Sequence, residues 1–161
     1  MSQGEWILRK AGLGELEEVL RLRLALMLEL SEFETDSEQA AWVNVTRRYL
    51  EDALPEGRFH VWLAYVGDGA VACAGLTLFE RPPAPTNLTG LEAYILNIYT
   101  EPEWRRRGIS RRLLSELMEF ARGLGAGRLW MHASEDGRPL YESVGFAPNP
   151  STLEWEQPGG D

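Results

Sequence analysis

The 161 residues carry 16 Lys+Arg against 25 Asp+Glu, a formal net charge of −9, with 44% hydrophobic and 25% charged residues. That length and balance describe one soluble globular domain, expected over residues 1–157 with 158–161 as a frayed tail. The charge opposes nucleic acid and anionic membranes as partners, one Cys with two His cannot build a zinc site or an internal disulfide, and no apolar run approaches a membrane span.

Met1-Ser2-Gln3-Gly4-Glu5 lacks the basic and apolar regions of a signal peptide, so the expected compartment is the cytoplasm. Glu5–Arg9 reads as a short first strand. From Leu13 to about Leu30, Leu13, Leu16, Val19, Leu20, Leu24, Met27 and Leu28 line one face of a helix. Ser37 is the expected N-cap of a second helix, running through Trp42, Val45 and Tyr49 to Leu54 and stopped by Pro55-Glu56-Gly57. Phe59–Val66 and Ala70–Phe79 are strands joined into a hairpin by Gly67-Asp68-Gly69. Pro82, Pro83 and Pro85 mark a loop to about Gly90, and Leu91–Thr100 is the next strand. Gly108–Leu124 has the strongest helical pattern, with Ile109, Leu113, Leu114, Leu117, Phe120, Ala121 and Leu124 on one face and Arg112, Ser115, Glu119 and Arg122 opposite. Arg128–Ala133 follows as a strand, Pro139–Val144 as a short helix and Phe146–Glu156 as at least one last strand. The order β-α-α-β-β-β-α-β-α-β predicts a mixed α/β sheet with a strand–helix–strand unit at its centre.

Five basic residues, Arg105, Arg106, Arg107, Arg111 and Arg112, stand within eight positions on an otherwise acidic chain. They belong to a strand–turn–helix junction running from Asn97 to Ser110. A helix start leaves its first N–H groups without partners and carries partial positive charge. Gly108 has no Cβ and Ser110 is small, so this junction suits an anion, and two linked phosphates better than one. The plain alternative is a capped helix beneath solvated arginines. A Walker loop and a three-glycine dinucleotide turn both need residues absent here. A DNA-reading helix is opposed by the acidic remainder. Glu29, Glu32, Glu34, Asp36 and Glu38, with no basic residue among them, form an acidic run whose plain reading is a solvated face. Cys73, His60 and His132 lie in strands among apolar neighbours and read as structural.

Arg105-Arg106-Arg107-Gly108-Ile109-Ser110 resembles the Gln/Arg-x-x-Gly-x-Gly/Ala motif of the GCN5-related N-acetyltransferases, the GNAT superfamily, with Ser110 where Gly or Ala is usual. Downstream, Leu140-Tyr141-Glu142-Ser143-Val144-Gly145-Phe146 resembles the family's Leu-Tyr-Glu-x-x-Gly-Phe segment, and the element order fits along essentially the whole chain. The resemblance implies a GNAT-like acyltransferase fold, acetyl-CoA as co-substrate without a metal, and direct attack by a primary amine of a small molecule or peptide. It places the pyrophosphate on the backbone amides of Arg105 to Arg111, that is Arg105, Arg106, Arg107, Gly108, Ile109, Ser110 and Arg111. Ile98, Tyr99 and Thr100 would run beside the pantetheine arm, and Ser134 stands where many members have an Asn that contacts it. Tyr141 matches the tyrosine that protonates the departing thiolate, a transfer suited to a phenol near pKa 10 and a thiol near 8.5. Its alternative role is packing the short helix on the sheet. The base is open between Glu92, the closest carboxylate on its strand, and a water relay. The acidic run suggests a cationic acceptor, and the family's habit of pairing through sheet edges or late strands leaves a homodimer open. Against the enzyme stands an acyl-CoA-binding sensor, motivated by the missing obvious base and by Ser134.

Overall fold

The computed structural model describes residues 5–158. They form β1 (Ile7–Lys10), α1 (Leu16–Glu29), α2 (Asp36–Glu56), β2 (Phe59–Val66), β3 (Gly69–Glu80), β4 (Leu91–Thr100), α3 (Ile109–Gly123), β5 (Arg128–Met131) and α4 (Arg138–Ser143). One turn of 3-10 helix precedes α1 and another, Pro102–Trp104, follows β4. The strands lie side by side in chain order, antiparallel except for the parallel pair β4–β5.

Each sheet face has its own core. On one, Leu113, Leu114, Leu117 and Ala121 of α3 pack on Ala72, Ala74, Leu76, Ala93 and Ile95. The alanines let the helix axis approach the strands closely, and each buried leucine stabilises by roughly 1.5–3 kcal/mol. On the other, Val19, Leu20 and Leu22 of α1 with Leu50 and Ala53 of α2 cover Val61, Leu63 and Cys73. A polar clamp sets the angle of α1: the Glu18 carboxylate accepts from Ala70 N at 2.8 Å and from Arg21, which also reaches Glu101 at 2.8 Å.

Two expectations are corrected at helix ends. The N-cap of α2 is Thr35, not Ser37. The Thr35 hydroxyl accepts from Glu38 N at 3.1 Å while the Glu38 carboxylate accepts from Thr35 N at 3.2 Å, a reciprocal pair that outcompetes a cap two residues later. Pro55 lies inside the last turn, and the stop is Gly57, whose φ of 70° ends the helix.

The last strand expected over Phe146–Glu156 is absent, and the element order ends at α4. Pro148 and Pro150 remove two ladder donors where such a strand would begin. Leu153 and Trp155 stay 96% and 80% exposed instead of packing on β5. Residues 1–4, which held the expected leaderless start, and 159–161 of the expected tail lie outside the described residues. Among the described residues no helix is long and apolar enough to cross a membrane.

Candidate active site

The site begins with a fork. Strands β4 and β5 pair only from Glu92↔Arg128 to Ile95↔Met131 and then part. The cause is a bulge in β4: its register against β3 steps from Leu96↔Gly75 to Tyr99↔Cys73, so that Asn97 and Ile98 together face Ala74. Asn97 adopts φ 61°, a left-handed conformation that asparagine tolerates better than most residues. The Cys73 thiol, whose pKa burial pushes up to about 12, stays neutral and donates to the Asn97 carbonyl at 3.2 Å, holding the bulge in place. Beyond the bulge, Ile98, Tyr99 and Thr100 have no strand partner on the β5 side.

At the open end of the fork lies the start of α3. Gly108 is its N-cap with φ 80°, and no side chain caps the helix. Among the described residues, none of the backbone N–H groups of Arg106, Arg107, Gly108, Ile109, Ser110 and Arg111 donates to a protein acceptor. A Cβ built on Gly108 would meet nothing within 4 Å, so the space beside that residue is clear. This row of unpaired donors at a helix start fits a diphosphate.

The arginines around the row divide their work. Arg105 donates from Nε to the Thr100 carbonyl and from Nη2 to both oxygens of Glu29, at 2.8 to 2.9 Å, and lies over the Tyr99 ring. Its own N–H is engaged by Pro102 O, so Arg105 fastens the cradle to α1 instead of extending it. Arg107 stacks on Trp104, Arg111 reaches the Ser143 hydroxyl and Arg112 pairs with Glu116. The Ser110 and Thr100 hydroxyls share a 2.9 Å hydrogen bond.

Tyr141 comes from α4, 8% exposed, with burial raising its phenol above the ordinary 10.0. Its hydroxyl lies directly over Gly137, where a Cβ would sit 2.7 Å away. The Ser134 hydroxyl accepts from Gly137 N at 3.1 Å, so its side chain serves the turn into α4. A groove of about 620 Å³ follows the outer edge of β5, lined in part by Met131, His132, Tyr141 and Phe146.

Glu92 is not brought to the open end of the fork. It lies at the closed end, 2% exposed, with one oxygen on Arg81 and the other on Arg128, each at 2.9 Å. A carboxylate doubly engaged and shut from solvent cannot reach an incoming amine, and its work is to fasten the strands. The polar group that the structure does place at the open end was read from the sequence as structural. His132 follows Met131, the last paired residue of β5. Its Nδ1 accepts from or donates to the Tyr94 hydroxyl at 2.7 Å, and its Nε2 contacts the Glu154 carboxylate. Tyr94 in turn packs against Trp130, ring centroids 4.7 Å apart and planes inclined at 56°. Tyr94 shares a row across the sheet with Thr77 and Phe59, so this wall is on the α1–α2 face, opposite α3. The sequence signal was position: His132 ends the strand that follows the cradle helix. His60 does behave as packed, its ring 4.8 Å from Phe120. In the acidic run, Glu29 holds Arg105 and Glu38 closes the capping box, leaving Glu32, Glu34 and Asp36 exposed. Among the described residues no three His, Cys, Asp or Glu side chains are grouped to hold a metal.

Residues 23–146 match the acetyltransferase (GNAT) family. A predicted acetyltransferase of Clostridium acetobutylicum, solved with acetyl-CoA, superposes with a TM-score of 0.85 at 27% identity, covering 94% of this chain and 96% of that one. A thialysine N-epsilon-acetyltransferase of Caenorhabditis elegans is 28% identical over 126 residues, 76% of this chain and 74% of the relative. The N-alpha-acetyltransferase RimI of Mycobacterium tuberculosis is 36% identical over 106 residues, 60% of this chain and 63% of the relative. The chain spans only 22% of an uncharacterized Mycobacterium leprae protein that it matches at 36% identity.

Proposed function

The chain belongs to the GNAT family of acetyltransferases, and from that premise we propose that it transfers an acetyl group from acetyl-CoA to an amine. The observation that carries the proposal is the row of unpaired amides from Arg106 to Arg111 beside the forked strands. When bound, acetyl-CoA supplies the acetyl group: a C–N bond forms to the amine, the C–S bond breaks, and CoA leaves as its thiol.

The amides of Arg106, Arg107, Gly108, Ile109, Ser110 and Arg111 hold the diphosphate, and the Ile98-Tyr99-Thr100 backbone runs beside the pantetheine. Arg105 keeps the cradle on α1, and Ser134 shapes the turn that presents α4. Tyr141 gives its phenolic proton to the departing sulfur, and its buried setting keeps it protonated until needed. In place of Glu92, the Tyr94 hydroxyl takes the amine's proton while passing its own to His132 Nδ1, and the Glu154 carboxylate holds the resulting imidazolium. Burial raises the Tyr94 phenol, as suits a relay that stays neutral between turnovers.

The acceptor is a small-molecule or peptide amine, in keeping with relatives named for a side-chain amine and for an α-amine. The exposed Glu32, Glu34 and Asp36 favour an acceptor that arrives as a cation. One cysteine and a net charge of −9 suit a cytoplasmic enzyme, and the outer edge of β5, without a strand partner among the described residues, is the place where a homodimer would form.

Calorimetric titration with acetyl-CoA tests the reading, beside a Gly108→Glu variant whose carboxylate would stand over the amide row. Saturable binding by the parent, lost in the variant, is the expected result. A folded parent that does not bind acetyl-CoA would overturn it.

A further inference from the structure

Arg23 stands apart from Arg21, the other arginine of α1. Arg21, two residues earlier, is held by Glu18 and Glu101. Arg23 points to the opposite side of the helix and is half-buried. Among the described residues its guanidinium has neither a carboxylate nor any other hydrogen-bond partner. Its neighbours are aromatic or neutral: it lies 5.8 Å from the Trp42 ring, and Tyr49, Tyr94 and Cys73 are within its electrostatic reach. Desolvation is the largest influence on it and presses its pKa below the ordinary guanidinium range. A half-buried guanidinium without a carboxylate partner is held less favourably than one in open water or in an ion pair.

The surroundings say what would partner it. Tyr94 belongs to the wall of Tyr94, Trp130 and His132 on the α1–α2 face, next to the open end of the fork. The indole Nε1 of Trp130, on that wall, is a buried donor without an acceptor among the described residues. The described side chains around Arg23 thus supply donors and rings and no anion. The planar fork of an arginine matches a carboxylate in two parallel hydrogen bonds.

We propose that Arg23 is the carboxylate anchor of the acceptor site, and that the acceptor is a small amine carrying its own carboxylate, an amino-acid-type zwitterion. Its ammonium end faces the fork and the exposed Glu32, Glu34 and Asp36; its carboxylate end docks on Arg23 between Trp42 and Tyr94. The proposal rests on the acetyl-transfer reading, and it narrows the acceptor from amines in general to zwitterionic ones.

The test compares matched acceptors, lysine against 1,5-diaminopentane, which differ only in the carboxylate, by following CoA thiol release in the parent, Arg23→Gln and Arg23→Lys. The expected parent preference for lysine is about 10- to 100-fold in kcat/KM, residing in KM. Arg23→Gln should abolish that preference while leaving the rate on 1,5-diaminopentane and the KM for acetyl-CoA unchanged, and Arg23→Lys should keep part of it. A second readout needs no turnover: calorimetric titration with Nε-acetyl-lysine and with its carboxamide. Binding of the acid alone, lost in Arg23→Gln, would support the anchor even were acetyl transfer disproved. Equal binding of acid and amide by the parent would overturn the anchor even were acetyl transfer established. Folding is read alongside, and since the native cation is unpaired, Arg23→Gln should melt no lower than the parent. A substantially lower melting temperature would assign Arg23 to the fold and also overturn the proposal.

Discussion

Gly137→Ala is the substitution that tests the site most sharply. Gly137 has φ −82° and ψ −23°, a helical conformation that alanine adopts without strain. The added Cβ, however, would lie 2.7 Å from both Cε2 and the hydroxyl of Tyr141, where ordinary contact begins at 3.4 Å. The phenol must therefore retreat by 3.4 − 2.7, about 0.7 Å, and since Tyr141 is only 8% exposed the ring has little room to swing away. Misplacing a reacting group by about 1 Å costs on the order of 100-fold, so kcat should fall roughly 10- to 100-fold. Acetyl-CoA affinity should hold, because the amide row at Arg106 to Arg111 is untouched, while the overpacking lowers stability by about 1–3 kcal/mol. Thiol-release kinetics would be run on Gly137→Ala, Tyr141→Phe and the double variant. If the hydroxyl carries the effect, the double variant is no slower than Tyr141→Phe alone. A parental kcat in Gly137→Ala, or losses that multiply in the double variant, would refute the assignment of Tyr141 as the proton donor.

The relay should show itself in kcat: Tyr94→Phe and His132→Gln are each expected to lower it about 100-fold or more with acetyl-CoA binding unchanged, whereas Glu92→Gln should act on melting temperature. The Leu114 side chain, fully buried between α3 and the sheet, should cost about 2–5 kcal/mol on Leu114→Ala, read from urea unfolding. Burial, and secondarily Lys10, hold His60 below its ordinary 6.5. A depressed histidine contributes stability fully present above pH 6.5 and lost as pH falls through its folded value. Urea unfolding across that acid limb should therefore be flatter in His60→Phe than in the parent, and identical slopes would contradict the assignment. The Cys73 thiol, pushed up to about 12, should resist iodoacetamide at pH 8 in the folded protein and react once unfolded.

Much of the fold was legible because its elements are marked locally. The i, i+4 leucines of α3 and the Gly67-Asp68-Gly69 hairpin need only their neighbours in the chain to be read. So does the helix start at Gly108: a glycine and small residues there are a local pattern, and the row of unpaired amides at Arg106 to Arg111 follows from it. The last strand failed for the opposite reason. Thr152 to Glu156 alternates as a strand should, but a strand exists only when a neighbouring edge accepts its ladder, and Pro148 and Pro150 break the approach to β5.

What the chain determined by itself was therefore periodic or contiguous: helices, strands, and the glycine-led start of α3. The tertiary structure alone decided which distant side chains share a space. It put Glu92 between Arg81 and Arg128 at the closed end of the fork, His132 between Tyr94 and Glu154 at the open end, and Arg23 among aromatic rings without a carboxylate. The bulge at Asn97 opens the fork, and its only trace in the sequence is an asparagine inside an otherwise β-forming run. A side chain's charge partner and its access to solvent are properties of packing, set by residues tens of positions away, and no local pattern encodes them.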